Sequence, residues 1–209
     1  GQSARESLTS TWKKHATAWQ QLRPTGTTQS TVNCPDADGD GYKSAKHCGD
    51  ALEASLADCD DTDPAITPQN ERYVPSGLVM LGSESEHAGA DEQPAHIVML
   101  SGYCLDVNEV STKSWVSWLK QSGRKAQGKD VRNLTETGEL ESGREDHPAE
   151  GVTWKEANEY CAARDQLLPT EAQWEKAARG GCERGDSERC EESELLPYPW
   201  GSDAPTCAL

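Results

Sequence analysis

The sequence predicts an α+β fold, and three observations carry that expectation. Gly77-Leu-Val-Met-Leu81 and His96-Ile-Val-Met-Leu100 are short apolar runs bounded by turn residues, with the length and composition of strands. Thr153 followed three positions on by Glu156, and Thr170 followed by Gln173, form the pattern in which side chains and orphan N–H groups at a helix start satisfy each other. Hydrophobic residues make up only 34% of the 209, Phe is absent and there are seven Trp, which argues against a large all-helical core and for a modest one built round indoles.

In chain order, Leu8, Trp12, Ala16, Trp19 and Leu22 recur at helical spacing and predict an amphipathic helix over residues 7–22. Docking on this or a neighbouring subunit suits it better than a membrane surface, which wants more basic residues opposite the apolar face. Pro24 to Thr31 reads as a linker, so residues 1–32 form a first segment.

Residues 33–72 form a second segment, acidic and nearly free of large apolar residues, so burial alone cannot order it. Asp36, Asp38 and Asp40 stand at ligand positions 1, 3 and 5 of an EF-hand-like loop, Gly41 at the sharp turn of position 6, Tyr42 at the carbonyl of position 7 and Ser44 at position 9. Position 12 holds His47, whose neutral imidazole is a poor ligand for a hard cation, so the loop has to be completed from elsewhere. Asp58, Asp60, Asp61 and Asp63 are the nearest supply. Two carboxylates about 6 Å apart repel by roughly 3 kcal/mol at an effective dielectric of 20. Crowding eight Asp between positions 36 and 63 therefore makes calcium the expected cofactor, against the alternative of a solvated acidic linker.

The third segment, residues 73–209, holds the two apolar runs, then Ser111 as cap of a helix carrying Trp115, Trp118 and Leu119. A long polar loop is expected over 121–146, with a glycosylation sequon at Asn133-Leu-Thr135. The two capped helices follow, and Gly180-Gly181 supplies the left-handed residue that ends the second.

Eight cysteines with no CxxC pair favour disulfides over zinc and place the chain at the cell surface, in the periplasm or outside the cell. Cys182 and Cys190 flank a short polar stretch and are expected to pair. Cys48 with Cys59 is the second choice, while Cys34, Cys104, Cys161 and Cys207 are left open. The net charge of −16 argues against nucleic acid and anionic membranes as partners, and no apolar run is long enough to span a bilayer. No Ser/His/Asp or Cys/His constellation and no phosphate-binding loop stands out, and His147 before Pro148 reads as structural.

From His147-Pro148 through Val152-Thr153-Trp154, Tyr160-Cys161, Leu168-Pro169-Thr170-Glu171, Trp174-Glu175 and Ala177-Ala178-Arg179-Gly180-Gly181 to Tyr198-Pro199-Trp200-Gly201, the chain resembles the formylglycine-generating enzyme, or sulfatase-modifying factor, family. The resemblance begins at Tyr73 and takes in Gly77 to Gly82, Glu92 to Leu100 and Tyr103 to Ser111 in the family's order. It implies a C-type-lectin-like scaffold of short sheets and a few helices. Catalytic members oxidise a substrate cysteine to formylglycine with copper held by two thiols, which lie beyond a Gly-Gly-Ser-Trp-like motif in the second half of the domain. That motif does not occur in residues 1–209, so copper is implied only if that half exists elsewhere. The family's Trp-x-Gly-Lys-Arg is replaced by Ala163-Arg164-Asp165-Gln166-Leu167, which removes a glycine and an arginine expected to support a tight turn and a polar network.

The acidic segment is similar to aspartate-rich metal-binding repeats of secreted bacterial proteins and to thrombospondin type-3 repeats. Together these features point to a structural or interaction protein that uses a non-catalytic scaffold stapled by calcium and disulfides. Two alternatives stand beside it: the amino-terminal portion of an active formylglycine-generating or related oxidase, and a lectin-like carbohydrate-binding module. The match halts in what looks like the start of a further motif, so the chain is expected to need a protein partner, its own subunits or more chain to close a core near Trp154, Trp174 and Trp200.

Overall fold

A computed structural model describes residues 33–53, 55–86, 88–125, 140–182, 198, 201 and 203. The helix expected over 7–22, the sequon at Asn133, and Cys190, Trp200 and Cys207 lie outside the described residues. Helices and strands are mixed, in keeping with an α+β fold. The order is β1 (Lys43–Ser44), α1 (Ala45–Cys48), a 3₁₀ turn (Gly49–Ala51), β2 (Ala57–Asp58), β3 (Glu71–Val74), β4 (Gly77–Leu81), β5 (His96–Leu100), β6 (Tyr103–Asp106), α2 (Thr112–Ser122), α3 (Trp154–Ala162) and α4 (Glu171–Arg179). The strands pair in twos: β1 parallel to β2, β3 with β6, and β4 antiparallel to β5.

The chain divides into two compact units, one of residues up to Leu105 together with those from Thr170 onward, the other from Asp106 to Pro169. In the first, both apolar runs form the expected strands and pair in register, Val79 opposite Val98. Strand alternation puts Val79 inside, fully buried. Helix α4 packs on β4 and β5. Its Glu175 carboxylate accepts from the Gly82 N–H (3.2 Å), and Arg179 donates to the Gly82 carbonyl (3.0 Å) while pairing with Glu175 (2.6 Å). The Lys176 side chain is 1% exposed, and its ammonium donates to the Pro75 carbonyl at 2.8 Å, because a buried charge has to find acceptors.

In the second unit, helix α2 opens on Ser111, whose hydroxyl accepts from the Ser114 N–H. Its apolar stripe places Trp115, Val116 and Leu119 against Tyr160 of α3, with Val110, Trp118, Ala149, Val152 and Cys161 around them. Trp115 is 1% exposed and lies 4.9 Å from Trp118 and 5.6 Å from Tyr160, ring to ring, so indoles do build this core. The exposed His147 acts through its main chain, its carbonyl accepting from the Thr112 N–H (2.7 Å) and hydroxyl (2.9 Å). Both expected capping boxes are formed, at Thr153 with Glu156 and at Thr170 with Gln173, and Gly180 ends α4 at φ 85°, a conformation that disfavours a side chain.

One pairing differs from expectation. Cys48 bonds to Cys34, and Cys59 to Cys104, rather than Cys48 to Cys59; both pairs have Cα atoms 5.9 Å apart. The reason is the parallel ladder, which sets Ser44 opposite Asp58 and so already joins the two acidic stretches. Cys59, the residue after β2, is bonded to Cys104 of β6. Cys182 is also disulfide-bonded. Trp154 and Trp174, expected near a core, are 73% and 64% exposed.

Candidate metal centre

The loop after Cys34 folds by short side-chain-to-backbone hydrogen bonds. Asp36 Oδ1 accepts from the Gly39 N–H (2.9 Å), Asp38 Oδ1 from Asp40 (3.1 Å) and Asp40 Oδ1 from Tyr42 (2.8 Å). At Asp38 and Asp40 the bond holds one carboxylate oxygen at the backbone and leaves the other buried. Gly41, at φ 97°, makes the sharp turn that a side chain would oppose. The β1–β2 ladder then delivers Asp58 from outside the loop, supplying a carboxylate to a loop that has His47 in place of the closing glutamate. His47 itself is engaged with the Ser44 hydroxyl at 2.9 Å.

Two carboxylate groupings result, Asp36 with Asp38 and Asp40, and Asp38 with Asp58 and Asp61, with candidate ligand oxygens in each within 4.8 Å of one another. Asp58 is 1% exposed, and its Oδ2, like Oδ2 of Asp38 and of Asp40, is buried with no hydrogen-bond partner. Three orphaned anionic oxygens, spread over two groupings that share Asp38, are costly unless something positive lies among them. Burial, then the charges of Asp40, Asp38 and Asp61, push the Asp58 carboxyl up to about 6. The donor set is all oxygen and anionic, which fits a hard divalent cation such as calcium and not a soft one.

The remaining expected ligands fall differently. Asp61 joins through one oxygen while its Oδ1 accepts from the Ala37 N–H (2.8 Å). Asp60 and Asp63 belong to neither grouping: Asp60 Oδ1 takes the Thr62 N–H and hydroxyl, and Asp63 Oδ1 takes the Ala65 N–H. The Tyr42 hydroxyl accepts from Gln69 Nε2 at 2.6 Å. Sequence reasoning missed Lys43, whose ammonium lies 3.2 Å from Asp36 Oδ2 and occupies the oxygen that the other aspartates leave free.

Thiol chemistry is differently placed. Cys161 is the one free cysteine among the described residues, half-buried, its thiol pushed up by burial and by the Asp106 charge. Cys59 and Cys104 lie close to Glu71, but their disulfide removes both as thiolate ligands. In the Ala163–Leu167 stretch the tight turn persists without its glycine. Asp165 takes φ 56°, and the Gln166 N–H returns to the Cys161 carbonyl at 2.9 Å. A polar network persists as well, with Arg164 Nε donating to Gln166 Oε1 (3.1 Å) and its guanidinium over the Tyr160 ring.

The features of the first unit define a class: an α+β domain of two-stranded sheets in which disulfides and a carboxylate cluster supplement a modest apolar core. The chain belongs to the sulfatase-modifying factor enzyme 1-like domain family, whose profile matches residues 59–207. Among curated proteins it is 34% identical over 119 residues to the serine/threonine-protein kinase pkn1 of Chlamydia caviae, covering 52% of this chain and 19% of that one. It is 28% identical over 160 residues to the hercynine oxygenase of Mycolicibacterium smegmatis, covering 65% and 36%, and 25% identical over 167 residues to the formylglycine-generating enzyme of Thermomonospora curvata, covering 62% and 52%. The chain thus spans about half or less of the length of these relatives. Among the described residues no helix is long and apolar enough to cross a membrane.

Proposed function

We propose that this chain is an extracytoplasmic structural or interaction module, in which a C-type-lectin-like, non-catalytic form of the family domain is stapled by calcium and disulfides. The observation that carries the reading is the set of three buried, unpartnered oxygens on Asp38, Asp40 and Asp58. Asp38, common to both carboxylate groupings, would hold the ion, with Asp36 and Asp40 on the loop side and Asp58 and Asp61 on the other. The ion supplies neutralising charge and cross-links the loop to β2. The disulfides Cys34–Cys48 and Cys59–Cys104 suit an oxidising compartment.

Isothermal titration of the whole chain with calcium chloride tests the staple. Dissociation constants of roughly 0.1–1 mM are expected, as for extracellular modules, and absence of a binding heat sinks the reading. Incubating the chain with copper, calcium and a sulfatase-type cysteine peptide tests the non-catalytic part, for which the expected result is an unchanged peptide mass. A second reading draws on relatives named formylglycine-generating enzyme and hercynine oxygenase and on the partial coverage of their lengths. In it, this chain is the amino-terminal portion of an enzyme whose catalytic thiols follow Leu209, and conversion of the peptide cysteine by a longer chain supports it.

A further inference from the structure

We infer that the acidic cluster and the family domain are energetically coupled through Asp50, so that an ion held in the cluster by Asp38 and Asp58 also fixes the corner between β3 and β4 and, through Lys176, helix α4. This rests on the calcium reading of the cluster.

Two routes leave the cluster. Along the first, Ser44, opposite Asp58 in the ladder and 2% exposed, leads directly into α1, and α1 leads without a break into the turn that carries Asp50. Asp50 closes that turn on the domain. Its Oδ1 accepts from the Tyr73 hydroxyl (2.8 Å) and the Ser76 N–H (2.8 Å), and its Oδ2 from the Ser76 hydroxyl (2.6 Å). Burial works against the Asp50 charge, but the bonds from Ser76 and Tyr73 and the Lys176 ammonium hold its carboxyl below the usual value. Packing there leaves no slack, since a Cβ added at Gly49 or at Gly102 would collide with the Tyr73 ring. From α4, Lys176 grips the same corner through the Pro75 carbonyl.

Along the second route, Cys59, the residue after Asp58, is bonded to Cys104 in β6, the partner strand of β3. Both routes therefore converge on β3. Without a cation, repulsion among buried carboxylates loosens the loop that positions Asp50; with one, the loop is fixed and the corner with it. Such linkage is reciprocal, so a damaged corner weakens ion binding by the same factor.

Hydrogen exchange of the whole chain, in calcium chloride and in EGTA with magnesium, reads the coupling directly. With calcium at about ten times its dissociation constant, exchange should slow about tenfold within β3, β4 and α4 as well as in the loop. Asp50→Asn should still give a calcium heat and a protected loop while the slowing in β3, β4 and α4 drops below about twofold. Ser76→Ala, which removes one of the three bonds, should give an intermediate value and keeps the test open if Asp50→Asn does not fold. Calcium protection confined to the loop in the wild type, or undiminished in the folded variants, overturns the coupling while leaving the calcium site standing. A wild type with no calcium heat removes both.

Discussion

Asp58→Asn should move stability in opposite directions with and without calcium. In the ion-free protein the Asp58 carboxyl is raised from 3.8 to about 6, first by burial and then by Asp40, Asp38 and Asp61. A rise of about two units means that keeping this group charged at neutral pH costs the folded state on the order of 3 kcal/mol. Asparagine keeps an oxygen for the Asp60 N–H, which Asp58 Oδ1 accepts at 3.0 Å, and offers an amide donor to the orphaned oxygens of Asp38 and Asp40. A gain of about 1–3 kcal/mol is therefore expected in EGTA, a rise in Tm of several degrees for a domain of this size. In calcium at about ten times its dissociation constant, the wild type gains about 1.4 kcal/mol by mass action, and the variant loses that increment with its ligand charge. Calorimetric unfolding at pH 7.5 in EGTA and in calcium chloride measures both. A variant that melts lower than wild type in EGTA, or that keeps the full calcium increment, refutes the account of three anionic oxygens awaiting a cation.

Lys43→Met should tighten calcium binding by about threefold, since it removes a half-exposed, solvent-screened positive charge from Asp36; titration showing weaker binding would mean that Lys43 supports the loop instead. The raised Asp58 value also fixes a sign. In EGTA the folded state holds this proton more tightly than the unfolded chain, so the contribution is fully present below about pH 4 and is lost as pH rises through about 6. The wild-type Tm minus that of Asp58→Asn should accordingly fall between those limits. Trp115→Ala should cost about 3–5 kcal/mol in denaturant unfolding, as expected for a fully buried indole. Peptide mapping without reduction should recover Cys34 with Cys48 and Cys59 with Cys104, and a Cys48–Cys59 peptide would contradict both pairs.

Local signals were the legible ones. Apolar runs of strand length gave β4 and β5 at their actual bounds, and hydroxyl residues three positions before an acid or amide gave both capping boxes. The acidic loop was legible for the same reason, because Asp36, Asp38 and Asp40 bond their own near neighbours. What depended on remote pairing was not. Nothing local marks Ala57 and Asp58 as a strand parallel to Lys43 and Ser44, yet that pairing is what sets Asp58 beside Asp38 and Asp61, and the disulfides of Cys48 and Cys59 follow other partners. Asp50 and Lys176 gave no signal either, for their roles come from a corner 26 and 101 residues away. The indoles split: Trp115 sits on the apolar stripe of α2 and is buried, whereas Trp154 opens α3 and Trp174 lies on the outer side of α4.

The left-handed turn at Asp165 narrows the routes by which this stretch can drift. Among residues with a side chain, Asp and Asn tolerate that backbone best, because their short polar groups bond locally, while a β-branched residue is penalised by roughly 1–2 kcal/mol. A lineage leaving glycine here therefore has two cheap exits, and Asp165 is one of them. The neighbouring Leu167, 84% exposed, is under no such backbone constraint and is free to vary in size and charge. A library randomised at both positions should return Gly, Asn and Asp at the first and a broad set at the second. An alignment of the stretch would show the same asymmetry, variation governed by torsion angle at one site and by solvent at the other.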